Sequence, residues 1–501
     1  MADLADQKKP NQPIAATTRL PFWVKLVYGS GDWGKSGFNT LRQIFYAIFL
    51  TDTVGLEPRL ASIAALVGVL WDAINDPLVG ALSDNVRTRW GRRRPFLLLF
   101  SVPFALAFIL LWWAPPWQTQ VLLLIHITLA YMFSDTIQTL VTVPYLALTP
   151  ELAPDYDQRT SLTTVRMFFN LLASLVVATA APMILDVAIK AGFTAQRGYL
   201  IIAMLFGGLA IIPFLLIFIF IKEKPVPADT QPETFTLRET ARLLFQNRPF
   251  RYASGIYVLN WISFDFIGLM LPYFLLYWVA QGNLLEKVNL LGMQISLESV
   301  VLGLLIITAT LFLPVWSWLA QRFSKRSAYI GGMSFWIVVQ LLMLLVQPNQ
   351  LGFSMLLAFL AGISVSTAHV MPDAIFPDVI DWDEYLTHTR HEGIYYGAIN
   401  LLRKASSALA IFVALQVLGW FGYQTPPETA SVFQQPERTV FIIRLLAGPV
   451  AAVLLLCAVV IAWFYPLTRE RQRTVHQTLL RRRRERDRQA SDALPAISTP
   501  E

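Results

Sequence analysis

The sequence predicts an all-α membrane protein with twelve spanning helices arranged as two pseudo-symmetric six-helix bundles. Three observations carry this reading. Of 501 residues, 55% are hydrophobic and only 15% are charged, whereas soluble domains are about one quarter charged. Twelve apolar runs of about 20 residues or more, the length a helix needs to cross a bilayer core, follow one another along the chain. One long polar stretch, 222–249, divides them six and six.

The chain opens on a polar tail, 1–21, without signal-peptide architecture. The first apolar run is therefore expected to serve as both targeting signal and permanent helix. The first bundle, 22–221, holds runs at roughly 22–50, 59–83, 95–114, 119–148, 161–186 and 197–221. The second, 250–467, holds runs at roughly 250–280, 298–321, 328–346, 351–377, 393–420 and 439–465. Several exceed a straight crossing, which predicts tilt or protrusion. The linker is Pro-rich at first (Pro225, Pro227, Pro232). Its second part, Phe235 to Phe245, then reads as a short amphipathic helix for the membrane interface. The charged tail, 468–501, is expected to fray or to lie on the anionic inner leaflet.

Charge sets the orientation. Loops of one parity are basic: Arg87, Arg89, Arg92, Arg93 and Arg94 follow the second run, and Arg322, Lys325 and Arg326 follow the eighth. The tail adds Arg481, Arg482, Arg483 and Arg484. Loops 51–58, 115–119 and 347–350 carry no Lys or Arg. Positive charge stays inside, so both termini are expected in the cytoplasm of a multi-pass cell-membrane protein. The net charge of +7 thus belongs to these segments and does not point to nucleic acid. The one cysteine, Cys457, lies in the last apolar run and reads as a small packing residue. No phosphate-binding Gly-rich loop, Cys/His metal spacing or nucleophile elbow is present, so an enzyme is not expected.

What remains is charge inside apolar runs. Asp72 and Asp76 stand four residues apart in the second run, with Asn75 between them; positions i and i+4 share a helix face. An ionised Asp near a bilayer centre costs about 2.5–3.5 kcal/mol or more. Two on one face imply a partner cation or a wet cavity. Asp265 is the only acidic residue of the seventh run, with Trp261 one turn before it. Such carboxylates usually face a cavity, and Trp261 would offer a stacking face beside it. His369 in the tenth run, one turn before Asp373, reads as a satisfied interhelical histidine.

Gly80-Ala81-Leu82-Ser83-Asp84, followed by Arg87, Arg89, Gly91, Arg92 and Arg93, resembles the loop signature of the major facilitator superfamily. A fainter counterpart, Leu319 to Arg326, sits at the equivalent place in the second half, as two related halves would give. Four motifs in order sharpen the match: Tyr28-Gly29-Ser30-Gly31-Asp32-Trp33-Gly34-Lys35, Trp71 to Pro77, Arg89-Trp90-Gly91-Arg92, and Asp378 to Tyr385 with Arg390 to Gly393. They resemble the glycoside–pentoside–hexuronide:cation symporters.

The resemblance implies a cation site at Asp72, Asn75, Asp76 and Thr139, with Na⁺ or H⁺ at Asp72 and Asp76. It places Lys404 nearby as a coupling residue that could replace the cation when the site empties. It puts Lys35 and Arg166 near the solute. Two acidic positions that grip sugar hydroxyls in the family are Ser36 and Thr142 here, and a stacking tryptophan is Leu146. Asp32, one turn before Ser36, and Asp135, on the face of Thr139 and Thr142, are candidate replacements. Asp84, Arg92, Arg93, Asp378, Asp381, Glu384 and Arg390 resemble the inner-gate charges, the last four expected after the tenth helix. The implied function is Na⁺- or H⁺-coupled symport of a sugar-like solute by a monomer in contact with membrane lipids, without a cofactor. The alternatives are an amphiphilic or lipid-like solute, or a non-transporting membrane sensor.

Overall fold

The computed structural model describes residues 20–153, 156–223, 237–283, 287–290, 293–389, 391–427 and 432–492. The expected N-terminal tail, the first part of the linker, Arg390 and the last nine residues lie outside them.

Span one is built from Phe22–Gly29, Gly31–Ile48 and a wide final turn, Phe49–Thr53. Spans two to six are Pro58–Asn85, Arg94–Leu111, Gln120–Leu152, Tyr156–Lys190 and Ala195–Phe220. Span seven is Arg248–Phe274, continued by Leu275–Val279. Spans eight to eleven are Leu297–Arg322, Lys325–Leu342, Leu351–Thr387 and Glu392–Trp420. Span twelve runs through Glu437–Leu445, Leu446–Val450 and Ala451–Trp463. Eleven of these are long and apolar enough to cross a membrane. Span one is the exception, because Asp32, Lys35, Arg42 and Gln43 lend it a polar stripe.

Local chemistry sets the ends. Proline opens spans two, three and seven at the first turn, where its missing N–H is no loss. Thr194, Asn247 and Ser324 cap spans six, seven and nine through their side chains. Inside span ten, Pro372 cannot donate to the carbonyl of Ala368; Asn260 Nδ2 of span seven takes that carbonyl at 3.0 Å.

Three features depart from the sequence reading. Span ten does not stop near residue 377 but runs to Thr387, ended by His388 in the left-handed conformation (φ 61°). Asp378, Asp381 and Glu384 are therefore on a helix and not in the loop after one. A two-stranded antiparallel hairpin, Lys287–Leu290 with Met293–Ser296, joins spans seven and eight. The tail does not fray at once: Arg469–Asp492 is helical, burying Val475 and Leu479. It lies against span ten through Gln472 on Asp378 (2.8 Å) and Arg482 on the carbonyl of Tyr385 (3.0 Å). The linker helix is present as Leu237–Gln246.

The halves meet where spans two and eleven, five and eight, and one and seven pack together. At the end away from the arginine loop the junction is polar but nearly free of ion pairs. Asp52 of span one accepts hydrogen bonds from Tyr277 and Tyr423 of the other half and from Thr51 beside it. Thr51 also meets Tyr273 at 2.9 Å, and Gln416 donates to Ser62 at 2.9 Å.

Within the first half, Gly68 lets span two approach span four. A Cβ added there would fall 2.3 Å from the Tyr131 ring. Gly68→Ala is expected to push the spans apart or displace Tyr131, costing about 1–3 kcal/mol. A fall in the thermal unfolding midpoint of the detergent-purified protein checks this; an unchanged midpoint would show that the ring yields freely.

Candidate functional site

Near the middle of span two, Asp72 and Asp76 face span eleven. Lys404 Nζ lies 2.7 Å from Asp72 Oδ2 and also donates to Asp76 Oδ2. Thr139 of span four donates to Asp76 Oδ1 at 3.2 Å. Asn75 is buried, its amide nitrogen without a partner among the described residues. Pro77 follows directly, so the helix cannot return an N–H to the carbonyl of Ala73. The structure thus gathers Asp72, Asn75, Asp76, Thr139 and Lys404 into one place. Trp71 takes no part; its indole N–H packs onto Thr136 at 2.9 Å.

A second cluster joins spans one, seven and eleven. Arg403, next to Lys404, makes two bonds to Asp265, Nη1 to Oδ2 at 2.7 Å and Nη2 to Oδ1 at 3.0 Å. Gln43 donates to Asp265 at 2.9 Å. The Arg403 guanidinium lies 4.0 Å from the centre of the Trp261 ring. Asp265 and Trp261 are therefore together, as expected, but both are engaged by an arginine.

Beside this cluster opens a cavity of about 250 Å³ between spans one, five, seven, eight, nine and ten. Its wall is aliphatic, including Leu271, Leu302, Leu305, Val339, Leu357 and Ala361, with Gln43 and His369 at its polar edge. His369 packs edge-on against Phe264 and Trp261.

The other solute candidates lie elsewhere. Asp32 is 1% exposed and bound by Arg166, Nε to Oδ2 at 2.6 Å, and by the Tyr145 hydroxyl at 3.1 Å. Arg166 and Asp32 neutralise each other, and Lys35 lies in their field. Asp135 lies 3.7 Å from Arg42, next to the Lys404 cluster and not in the cavity. Thr142 is buried in span four, about two turns further on than Asp135.

Of the expected gate residues, Arg92, Arg93 and Asp378 each meet an oppositely charged partner within their own half. Arg92 and Arg93 hold Glu151 at the end of span four, at 2.7 and 2.9 Å, and Arg92 reaches Glu223 at 3.7 Å. Lys325 holds Asp378 of span ten at 2.7 Å. His391 binds Asp383 at 2.8 Å. Asp381 and Glu384 occupy the last turns of span ten, and Asp84 the end of span two. Pro150-Glu151 and Pro377-Asp378 are thus equivalent points of the two halves, each met by a cation from the equivalent loop.

The model of the family described as MFS/sugar transport protein matches residues 27–469. The chain belongs to that family. An uncharacterized symporter of Synechocystis is 29% identical, over 92% of this chain and 97% of its own. The sodium-dependent lysophosphatidylcholine symporter 1 of Gallus gallus is 28% identical, over 91% and 88%. An uncharacterized symporter of Bacillus subtilis is 27% identical, over 94% and 98%. In fold, the chain is similar to a solved bacterial homologue of the human drug peptide transporters, with a TM-score of 0.62, 12% identity, and 89% and 97% coverage. A nucleoside transporter gives 0.60, 12%, and 89% and 98%.

For a member of this family, the sequence reading passed over Arg42, Arg403, Glu151 and Glu223. The signal for the arginines was available: each is a cation within a spanning helix, which demands a partner. Removing Arg403 would strand Asp265, which is 3% exposed. Arg403→Met is expected to destabilise the protein by the low end of roughly 3–5 kcal/mol, because the Arg403 side chain is partly exposed. Adding Asp265→Asn should restore most of the loss in thermal unfolding. A double variant no more stable than the single one would mean that the pair does not act as a unit.

Proposed function

We propose that this chain is a cation-coupled symporter that moves an amphiphilic solute across the cell membrane by alternating access. The arginine loops, the tail helix and both termini then face the cytoplasm, in keeping with the charge asymmetry. The observation that carries coupling is Lys404 of one half held between Asp72 and Asp76 of the other. A cation, Na⁺ or H⁺, that takes these carboxylates releases Lys404 and so loosens one half from the other. The freed ammonium and the neighbouring Arg403 then offer positive charge to an anionic head group. Linkage makes the solute strengthen cation binding by the same factor.

An amphiphile is favoured because the cavity beside Arg403 is aliphatic over most of its wall. Ser36 and Thr142 supply no carboxylate where the family grips sugar hydroxyls. The sodium-dependent lysophosphatidylcholine symporter among the relatives supports the same choice. A sugar-like solute is the second reading, favoured by the family's description and by Asp265 and Trp261, which contact Gln43 and His369 of the polar edge.

Uptake into vesicles with imposed Na⁺ and H⁺ gradients, applied separately, tests both. A labelled lysophosphatidylcholine is expected to enter faster down one of the gradients by roughly tenfold or more, within ordinary coupling strengths. Asp76→Asn should abolish that dependence. Uptake of a labelled galactoside instead of the lipid would select the sugar reading. Gradient-independent movement of every solute that binds would reject coupling.

A further inference from the structure

Within five residues, span four carries three buried oxygens to which no hydrogen-bond donor comes among the described residues. They are Ser134 Oγ, Asp135 Oδ2 and Gln138 Oε1, on side chains of residues 1%, 4% and 8% exposed. Residues at i, i+1 and i+4 of a helix fall within one arc of about 100°, so the three point from the same side of the span. Each is fixed by its other contacts. Gln138 spends its amide N–H on Asn39 Oδ1 at 3.0 Å, which leaves its carbonyl oxygen as a pure acceptor. Asp135 turns its other oxygen toward Arg42 at 3.7 Å.

A buried acceptor without a donor costs about 1–3 kcal/mol, and more when it is charged. Three on one face of one span, one of them a carboxylate oxygen, therefore call for a donor or a cation. The local charge makes the same demand. Asp135, Asp72 and Asp76 form one electrostatic cluster with Arg42 and Lys404, so three carboxylates face two cations. Both cations are already engaged. Arg42 lies between the rings of Phe38 and Tyr131, at 5.3 and 5.1 Å from their centres, and Lys404 bridges Asp72 and Asp76. Span three, which also packs on span four, brings no charged side chain between Pro95 and Leu111.

We infer that Ser134 Oγ, Asp135 Oδ2 and Gln138 Oε1 form a second seat for a monovalent metal cation, next to the Asp72–Asp76–Thr139 seat and distinct from it. Carboxylate, amide and hydroxyl oxygens are hard ligands, suited to Na⁺. The seat balances the cluster while Lys404 is docked, so an arriving ion can be held before Lys404 has left. That order of events rests on the symport reading above; the seat itself rests on the orphaned oxygens and the charge count.

Equilibrium binding of radiolabelled sodium to the purified full chain, counted per molecule at saturation, tests it. Two ions are expected for the native chain. One is expected for Asp135→Asn and for the milder Gln138→Leu and Ser134→Ala pair, which keeps the test open if Asp135→Asn does not fold. One is also expected for Asp76→Asn, still removable by Gln138→Leu. A single ion in the native chain, lost in Asp76→Asn but kept in Gln138→Leu, overturns the second seat and leaves the first. A single ion lost in Gln138→Leu but kept in Asp76→Asn supports the second seat and overturns the reading of the first. No bound sodium in the native chain overturns both as sodium seats.

Discussion

The ammonium of Lys404 between two aspartates is the contact on which the rest of the molecule depends. It lies between the halves, in spans that are apolar above and below it. Ions removed from water this way lose several kcal/mol of solvation each, and only a close partner returns it. The surrounding architecture keeps that partner in reach. Gly68 draws span two onto span four, Thr139 satisfies one more carboxylate oxygen, and Arg403 places a second charge pair one residue along the same helix. A contact of this kind stabilises the assembly as long as it is intact and makes its loss abrupt. A carrier needs such behaviour from a joint that must open.

The two halves solve their own problem at the arginine end in the same way. Each has a basic loop between its second and third helix. Each has a Pro-acidic pair in its fourth helix, ending in Glu151 near the last turn in one half and in Asp378, well before the helix end, in the other. Arg92, Arg93 and Lys325 are thus each held by a carboxylate of their own half. The tail helix adds to that restraint in the second half, because Gln472 shares Asp378 with Lys325.

Much of this was legible in the sequence, for a physical reason. Lipid imposes length and apolarity on every span, and the twelve runs record it. The paired aspartates were legible because charge is rare where they lie. Apolarity is silent where the chain leaves the membrane. It ends near Pro377, while the helix of span ten continues for ten more residues on contacts with the tail. Span one shows the reverse, a true span whose polar stripe faces the interior. Partners were harder than residues. Asp32 reads as a candidate solute ligand, yet Arg166, more than a hundred residues away, neutralises it. Asp135 reads as a solute ligand because it shares a face with Thr142, whereas packing turns it toward Arg42. Spacing along one helix shows which residues share a face and is silent on what lies opposite.

The ring of hydroxyls around Asp52 has a consequence for a cell whose surroundings change in salinity. Ion pairs at a membrane surface weaken as mobile ions screen them, over a distance of about 8–10 Å at ordinary ionic strength. A closure made by Tyr277, Tyr423 and Thr51 around one carboxylate uses neutral donors, packed out of reach of those ions. This end of the junction should therefore hold equally well in dilute and in concentrated media, because mobile ions at the surface do not reach the donors that close it.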